Sequence, residues 1–88
     1  MSFPRRLTAA PRHLYTERWD AARNMARFYA LSIEPTLFDD ICLTRRWGRI
    51  GTRGQMKAMS FAHEEEALTL FARIQHQKAH RGYCECFT

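Results

Sequence analysis

At residues 45–55 the chain reads Arg-Arg-Trp-Gly-Arg-Ile-Gly-Thr-Arg-Gly-Gln, a segment with four arginines, one tryptophan, three glycines and no acidic residue. Glycine adopts backbone conformations that other residues rarely reach, so Gly48, Gly51 and Gly54 predict a tight turn between two strands. Arginine binds phosphate through paired donors and also stacks on aromatic faces. The segment therefore predicts a turn that presents cationic and aromatic side chains at the end of a strand.

Alternating patterns on both sides of this turn predict four β-strands, at residues 13–19, 25–34, 38–47 and 55–61. In the second, Tyr29, Leu31 and Ile33 share one face, and Pro35 ends the strand. In the third, Ile41 lies on the face opposite Thr44. Because the strands follow one another along the chain, we expect an antiparallel meander that needs no crossover.

The pattern becomes helical at residues 63–80, where apolar residues recur at spacings of three and four. Glutamates 64–66 begin this segment, Gly82 follows it, and residues 83–87 could add a short edge strand. The order of elements predicts an α+β fold: an antiparallel sheet of about four to five strands with one amphipathic helix packed on one face. The other face of the sheet, or its rim, is left open for a ligand.

The length of 88 residues suits one domain, at residues 13–88, after a basic N-terminal arm at residues 1–12 that holds two prolines and three arginines. A chain this short buries only about 60–65% of its unfolded surface, which leaves little room for an enclosed catalytic pocket. None of the four histidines has a recognisable nucleophile as partner. We therefore expect a binding module and no enzymatic activity.

The net charge of +5 is concentrated in one place. Five cations between positions 45 and 57 have no acidic residue among them: Arg45, Arg46, Arg49, Arg53 and Lys57. Such a patch favours a polyanionic partner, either nucleic acid or an anionic membrane surface. The chain has no run of about 18 apolar residues and no apolar core of a signal peptide near its start, so neither a membrane span nor secretion is expected.

The cysteines at positions 42, 84 and 86 are odd in number and form no regular framework, which favours reduced thiols and a cytoplasmic location. Cys84 and Cys86 with His80 do not match the paired spacing of zinc ligands, so no metal is expected. The glycines are not followed by a Gly-Lys-Ser/Thr motif at the start of a helix, which argues against a nucleotide-binding loop. No cofactor is expected.

Several residues at family-like spacing resemble the WGR domain, named for its Trp-Gly-Arg tripeptide. The signature is Arg46-Trp47-Gly48-Arg49-Ile50-Gly51, followed by Gly54-Gln55. Further matching positions are Asn24-Met25-Ala26-Arg27-Phe28-Tyr29, Glu66-Ala67, Phe71, Lys78 and Gly82-Tyr83. The resemblance covers residues 13–83. The chain is most similar to the small stand-alone form of the domain found in bacteria. The basic arm and the terminal cysteines depart from the family pattern.

This resemblance implies a sheet with one helix, in agreement with the periodicity. In poly(ADP-ribose) polymerases the WGR domain binds DNA at strand breaks, with the motif Trp packed on the sugar or base at a strand end and the motif Arg nearby. Those positions are Trp47 and Arg49 here. The polymerase catalytic domain is missing from the sequence, so the resemblance implies no ADP-ribosyl transfer.

We therefore predict a DNA-binding module that recognises ends, nicks or gaps, with RNA left open as a variant and no cofactor. Its predicted binding residues are Trp47, Arg49, Arg46, Arg53, Lys57, Arg45, Gln55, Arg27 and Asn24. Gly48, Gly51 and Gly54 are assigned to the turn. Alternation leaves the position of Trp47 open, because Arg45 shares its phase and either the strand leaves the core or the phase slips before Gly48. The alternative function is a protein-interaction or regulatory subunit of a separately encoded enzyme, with Met56, Met59 and Trp47 as its contact surface.

Overall fold

The computed structural model describes residues 12–85 as five strands and one α-helix. The elements are β1 (Arg12–Asp20), a 3₁₀ turn (Ala21–Arg23), β2 (Met25–Pro35), β3 (Ile41–Arg49), β4 (Gln55–Phe61), α1 (Glu64–His80) and β5 (Cys84–Glu85). Arg12, which the sequence assigned to the basic arm, is the first residue of β1. Residues 1–11 of that arm, and the terminal residues 86–88, lie outside the described part.

The strands form one antiparallel sheet in the order β4-β3-β2-β1-β5. The first four are a meander, as the sequence predicts. After β4, α1 crosses the sheet, and β5 pairs with the far side of β1, where Thr16 lies opposite Glu85. This arrangement confirms the predicted α+β fold of an antiparallel sheet with one packed helix.

The third strand begins three residues later than the sequence predicts, at Ile41. Residues 36–40 form a hydrogen-bonded turn instead: the Thr36 amide donates to the Asp40 carbonyl at 2.8 Å, and the Thr36 hydroxyl accepts from the amides of Phe38 and Asp40. Phe38 is exposed. At its other end β3 continues two residues past Trp47, because β2 pairs with positions 48 and 49.

The core lies between α1 and one face of the sheet, called here the helix side. The alternation of β2 and β3 puts Leu31, Ile33 and Leu43 on this face, where they are fully buried. From α1, Ala67, Phe71 and Ile74 pack onto them. The three glutamates at the N-terminus of α1 are placed favourably for the helix dipole.

The opposite face of the sheet, the open face, is not covered by α1. It presents Tyr15, Trp19 and Met56, all exposed. Phe28 is buried on this face because Tyr15 stacks on its ring at 6.0 Å and the Arg46 guanidinium lies 5.4 Å from it. Within residues 12–85, no helix has the length and apolar character that a membrane crossing requires.

Candidate functional site

The loop between β3 and β4 is held against the sheet by backbone hydrogen bonds. The Ile50 amide donates to the Ala26 carbonyl on β2 at 2.9 Å. The carbonyl of Arg49 accepts from the amide of Thr52 at 3.0 Å and from its hydroxyl at 2.7 Å. The loop therefore has a defined conformation and fixes where β3 ends.

Two glycines allow the loop to close on itself. Gly54 has a φ of +74°, and a Cβ atom there would lie 2.3 Å from the Trp47 carbonyl oxygen. A Cβ atom at Gly48 would lie 2.8 Å from the Gly54 Cα. Because no side chain fits at either position, Gly48 and Gly54 shape the turn. At Gly51, by contrast, an added Cβ atom would have no neighbour within 4 Å.

Trp47 lies on the helix side, in phase with the core. The pairing of β3 with β2 continues without a slip through Leu31 with Arg45 and Tyr29 with Trp47. The indole is half-buried against the core and stacks nearly parallel to the Tyr29 ring, with centroids 6.0 Å apart. Of the two explanations for the shared phase of Arg45 and Trp47, the structure favours the strand leaving the apolar core while keeping its register.

Trp47 belongs to a group of side chains that we call the cation-aromatic cluster: Tyr29, Arg45, Trp47, Lys78 and Tyr83. The Lys78 ammonium is 4.3 Å from the centre of the Tyr29 ring and 5.4 Å from that of Tyr83. The Arg45 guanidinium is 5.8 Å from the centre of the Trp47 ring. Lys78 therefore contacts two aromatic rings and Arg45 contacts a third, at the end of the helix-side core.

The C-terminus of α1 places Tyr83 beside Lys78. The Tyr83 amide donates to the Lys78 carbonyl at 3.0 Å, and the Gly82 amide donates to the Ala79 carbonyl at 3.1 Å. This is a Schellman motif, and Gly82 has the positive φ, +97°, that the motif requires. The predicted helix end at Gly82 therefore also places the Tyr83 ring in the cluster.

Within residues 12–85, no ion pair neutralises the positive charge of the cluster. Burial lowers the pKa of Lys78 below its usual 10.5, and the neighbouring positive charges of Arg81 and Arg45 lower that pKa further. The Arg45 Nε atom is buried and has no hydrogen-bond partner in the described part of the chain. Between described residues, the ion pairs join His13 to Glu34 and Arg23 to Asp20, and neither includes a member of the cluster. Such a site is complementary to an anion.

Beyond Trp47 the helix side continues into a row of three arginines, one from each neighbouring strand. Arg18 of β1 lies opposite Arg27 of β2, which lies opposite Arg49 of β3. The Arg49 guanidinium donates to the Asn24 carbonyl at 3.3 Å, which holds its side chain toward the β1–β2 turn. We call Arg18, Arg27 and Arg49 the arginine row.

The structure brings most of the predicted binding residues to one end of the helix side. Gln55 pairs with Trp47, and Lys57 pairs with Arg45. Together with the arginine row and Asn24, they surround the cluster. There are two exceptions: Arg46 lies on the open face over Phe28, and Arg53 lies in the exposed loop.

The surface predicted for a protein partner does not form a single patch. Met56 lies on the open face, whereas Met59 and Trp47 lie on the helix side. These three side chains therefore cannot contact one flat partner together.

Sequence reasoning did not assign Tyr29, Lys78, Tyr83, Arg81 or Arg18 to the site. One signal was available for Lys78, which follows Ala67, Phe71 and Ile74 at helical spacing and so is a cation in phase with the buried face of α1. Cys86, one of the residues weighed for metal binding, lies outside the described part of the chain. No cluster of three or more His, Cys, Asp or Glu side chains suited to a metal is found among residues 12–85.

Comparison with known proteins gives the family. A model of the WGR domain matches residues 12–86, which is most of the chain. The chain belongs to the WGR domain family. This confirms the resemblance seen in the sequence, and the Trp-Gly-Arg motif of this WGR domain is Trp47, Gly48 and Arg49.

The chain is also 57% identical over 77 residues to an uncharacterized protein, y4dW, of Sinorhizobium fredii (strain NBRC 101917 / NGR234). The matched region is 88% of this chain and 38% of that protein, so this chain spans well under half the length of the relative. No solved structure gives a significant match.

In this WGR domain each residue of the motif has a different structural role in the site. Trp47 joins the cation-aromatic cluster, Gly48 allows the close approach of the loop, and Arg49 joins the arginine row. The result is a half-buried aromatic ring with cations on both sides of it. Chemically, that arrangement can hold a flat ring or a sugar against the indole and phosphate groups against the flanking cations.

Proposed function

We propose that this WGR domain binds nucleic acid through the helix-side end of its sheet and prefers DNA with ends, nicks or gaps. The observation that carries the proposal is the positive charge of Arg45 beside the Trp47 ring and of Lys78 beside the Tyr29 ring, with no ion pair to either cation within residues 12–85. A buried Arg nitrogen without a partner costs free energy in the unbound protein, typically about 1–3 kcal/mol. A phosphate oxygen is the partner that would supply both the hydrogen bond and the countercharge.

A preference for strand ends is supported by the depth of the site. Trp47 is half-buried against the core and stacks on Tyr29, whose ring is in turn contacted by Lys78 from the last turn of α1 and by Tyr83 just after the helix. A stacked base inside a duplex has both faces covered by its neighbours, whereas a terminal base or sugar has one face free. An end, a nick or a gap therefore offers the indole a surface that a continuous duplex does not.

In this proposal the arginine row binds the phosphate backbone of the nucleic acid next to the strand end. Arg18, Arg27 and Arg49 lie on three successive strands, and neighbouring strands in a sheet are about 4.8 Å apart. Phosphates in one DNA strand are separated by several ångströms, so such a row can contact more than one of them. These contacts position the nucleic acid without reading its sequence.

The experiment is a binding titration with labelled oligonucleotides of equal length: blunt duplex, nicked duplex, single-stranded DNA and RNA. A dumbbell duplex closed by loops at both ends serves as the matched ligand without ends. The wild type is expected to bind the nicked duplex at least about 10-fold more tightly than the dumbbell, and Trp47→Ala is expected to remove that difference, since a stacked base contributes about 1–3 kcal/mol. Equal affinity of the wild type for both ligands would contradict the end preference.

Arg49→Ala serves as the second variant in this titration. It is expected to weaken binding to every ligand while keeping the ratio between nicked duplex and dumbbell, because the arginine row grips the backbone and does not read the end. Tighter binding to RNA than to any DNA would replace DNA by RNA as the ligand of the same site. Absence of binding to all of them would leave the protein-interaction function as the better candidate.

A further inference from the structure

The outer edge of β4 is open. β4 is the first strand in the sheet order and pairs with β3 on one side, and no described strand pairs with its other side. Five of its seven residues are exposed, and only Met59 and Phe61 are half-buried. An edge strand of this length presents a row of backbone donors and acceptors that can pair with another strand.

The two ends of this edge carry opposite charges. Arg53 precedes the strand and Lys57 lies within its first half, whereas the chain after Phe61 leads into the three glutamates that begin α1. An antiparallel copy of the same edge would put the basic end of each chain beside the acidic end of the other. We propose that the domain forms a two-fold symmetric dimer in which β4 pairs with β4 of a second copy.

The charges also select the register of this pairing. Paired residues in a sheet share a face, so one residue of β4 must pair with its own copy, and the two-fold axis lies between these two copies. With Ala58 on the axis, all seven residues pair and Lys57 lies opposite Met59. An axis at Lys57 would put two ammonium groups opposite each other, which is unfavourable. An axis at Met59 would leave Gln55 and Met56 without a partner in β4.

An apolar groove beside this edge accepts the second copy. It has a volume of about 390 Å³ and lies between the end of β4 and α1, lined by Phe61, Glu65, Glu66, Thr69, Leu70 and Arg73. In the register centred on Ala58, Gln55 of the second copy lies opposite Phe61, and Arg53 of the second copy lies beyond Phe61, where the chain leads into the glutamates of α1. Its guanidinium group then meets the glutamate side of the groove, which gives complementary charge at both ends of the interface.

This pairing has a defined geometry. The helix side of one copy continues into the helix side of the other, since paired residues share a face. The two sheets of five strands become one sheet of ten, with both helices and both Trp47 side chains on the same side. The dimer does not require nucleic acid, so its formation is independent of the proposed function.

The first test is the mass of the nuclease-treated 88-residue chain by sedimentation equilibrium, from micromolar to several hundred micromolar protein. A species of twice 10.4 kDa is expected to appear with rising concentration. Arg53→Glu and Glu66→Lys are each expected to weaken dimerisation at least about 10-fold, and the double variant to restore it, because the pair of charges is exchanged. Arg23→Glu is the matched control, since it makes the same change of charge on the 3₁₀ turn between β1 and β2 and should leave the mass unchanged.

The second test is cross-linking in a background of Cys42→Ser, Cys84→Ser and Cys86→Ser. Across the axis, the two Cβ atoms at position 58 would be about 4.5–5.5 Å apart, so Ala58→Cys should give a covalent dimer with a short thiol cross-linker. Met56→Cys is the control, because the two copies of position 56 would be separated by four residues, about 13 Å along the strand. A mass that stays at 10.4 kDa throughout, or equal cross-linking at positions 56 and 58, would overturn the proposal. Circular dichroism of each variant establishes that it is folded.

Discussion

Arg45 and Arg46 are consecutive in the chain but lie on opposite faces of the sheet. Arg45 is on the helix side, with its guanidinium 5.8 Å from the centre of the Trp47 ring and its Nε atom buried without a partner. Arg46 is on the open face, with its guanidinium 5.4 Å from the centre of the Phe28 ring. Mutagenesis can therefore test the two faces separately, because replacing Arg45 removes one positive charge from the helix side and replacing Arg46 removes one from the open face.

Arg45→Ala is expected to weaken nucleic-acid binding at least about 10-fold, whereas Arg46→Ala should change it less than about threefold. A charge-assisted hydrogen bond to phosphate is lost only in the first variant. If about four phosphates are neutralised, wild-type affinity should fall roughly 100-fold from 50 to 200 mM salt, with a slope near −3.6 that decreases by about 0.9 in Arg45→Ala. Fluorescence anisotropy at several salt concentrations measures both quantities, and equal losses in the two variants would contradict the assignment of binding to the helix side.

Removing the charge of Arg45 should also stabilise the unbound protein. A cation held beside Lys78 and Arg81, with an unpaired Nε, is unfavourable in the absence of a ligand. Arg45→Met keeps much of the side-chain volume and is expected to raise the melting temperature by a few degrees while weakening binding. Thermal unfolding in the absence of nucleic acid measures the change. A lower melting temperature would mean that Arg45 is a structural residue, with a favourable partner in the folded protein.

The lowered pKa of Lys78 predicts a dependence on pH for both stability and binding. The unfolded chain binds this proton more readily than the folded protein does, so stability is reduced below the folded pKa and recovers as pH rises toward 10.5. A bound phosphate favours the ammonium form and raises its pKa, so binding takes up protons and affinity falls as pH rises.

The corresponding measurement is affinity at constant ionic strength as pH is raised from neutral toward 10.5, the usual pKa of lysine. Wild-type affinity should decrease as pH rises through the lowered pKa of Lys78, and Lys78→Arg should flatten the dependence because arginine stays charged. Isothermal titration in two buffers of different ionisation enthalpy detects the proton uptake directly. A dependence on pH that is identical in Lys78→Arg would assign the titration to another group.

Gly54→Ala is expected to be severely destabilising. Its Cβ atom would lie 2.3 Å from the Trp47 carbonyl oxygen, and its φ of +74° is unfavourable for alanine. We expect a loss of more than about 3 kcal/mol or failure to fold, since the backbone must move to remove the overlap. Gly51→Ala is the control: its φ is also positive, at +94°, but no atom lies within 4 Å of the added Cβ, so a loss of about 1–2 kcal/mol is expected. Urea unfolding compares the two, and similar losses would exclude the close contact as the cause.

The fold follows from the sequence because its signals are local. Alternation in β2 places Tyr29, Leu31 and Ile33 on one face, and the change to helical spacing after β4 marks α1. The start of β3 differs from the predicted one because the hydrogen bonds of Thr36 close a turn at residues 36–40, and the apolar residue at position 38 gives no sign of that turn. Local periodicity thus identifies the elements more securely than their ends.

The site could be predicted only in part, because it joins elements that are distant in the chain. The Trp-Gly-Arg segment indicated where to look, but Lys78 lies in the last turn of α1 and Tyr83 just after it, and both reach Tyr29 through the packing of the helix. Nor could alternation alone show whether β3 keeps its register through Arg45. That outcome depends on pairing with β2 and β4 together, which determines the face on which Trp47 lies.

The two tryptophans of the chain lie on opposite faces and can report directly which face binds. Trp47 belongs to the cation-aromatic cluster on the helix side, and Trp19 is exposed on the open face, where its indole nitrogen donates to Glu17 at 3.0 Å. Trp19→Phe leaves Trp47 as the single indole, and Trp47→Phe leaves Trp19. The measurement is tryptophan fluorescence of each variant during titration with nicked duplex DNA. The helix-side site predicts saturable quenching in the Trp19→Phe variant, through stacking on Trp47, and little change in the Trp47→Phe variant. Quenching confined to the variant that retains Trp19, or none in either, would contradict it.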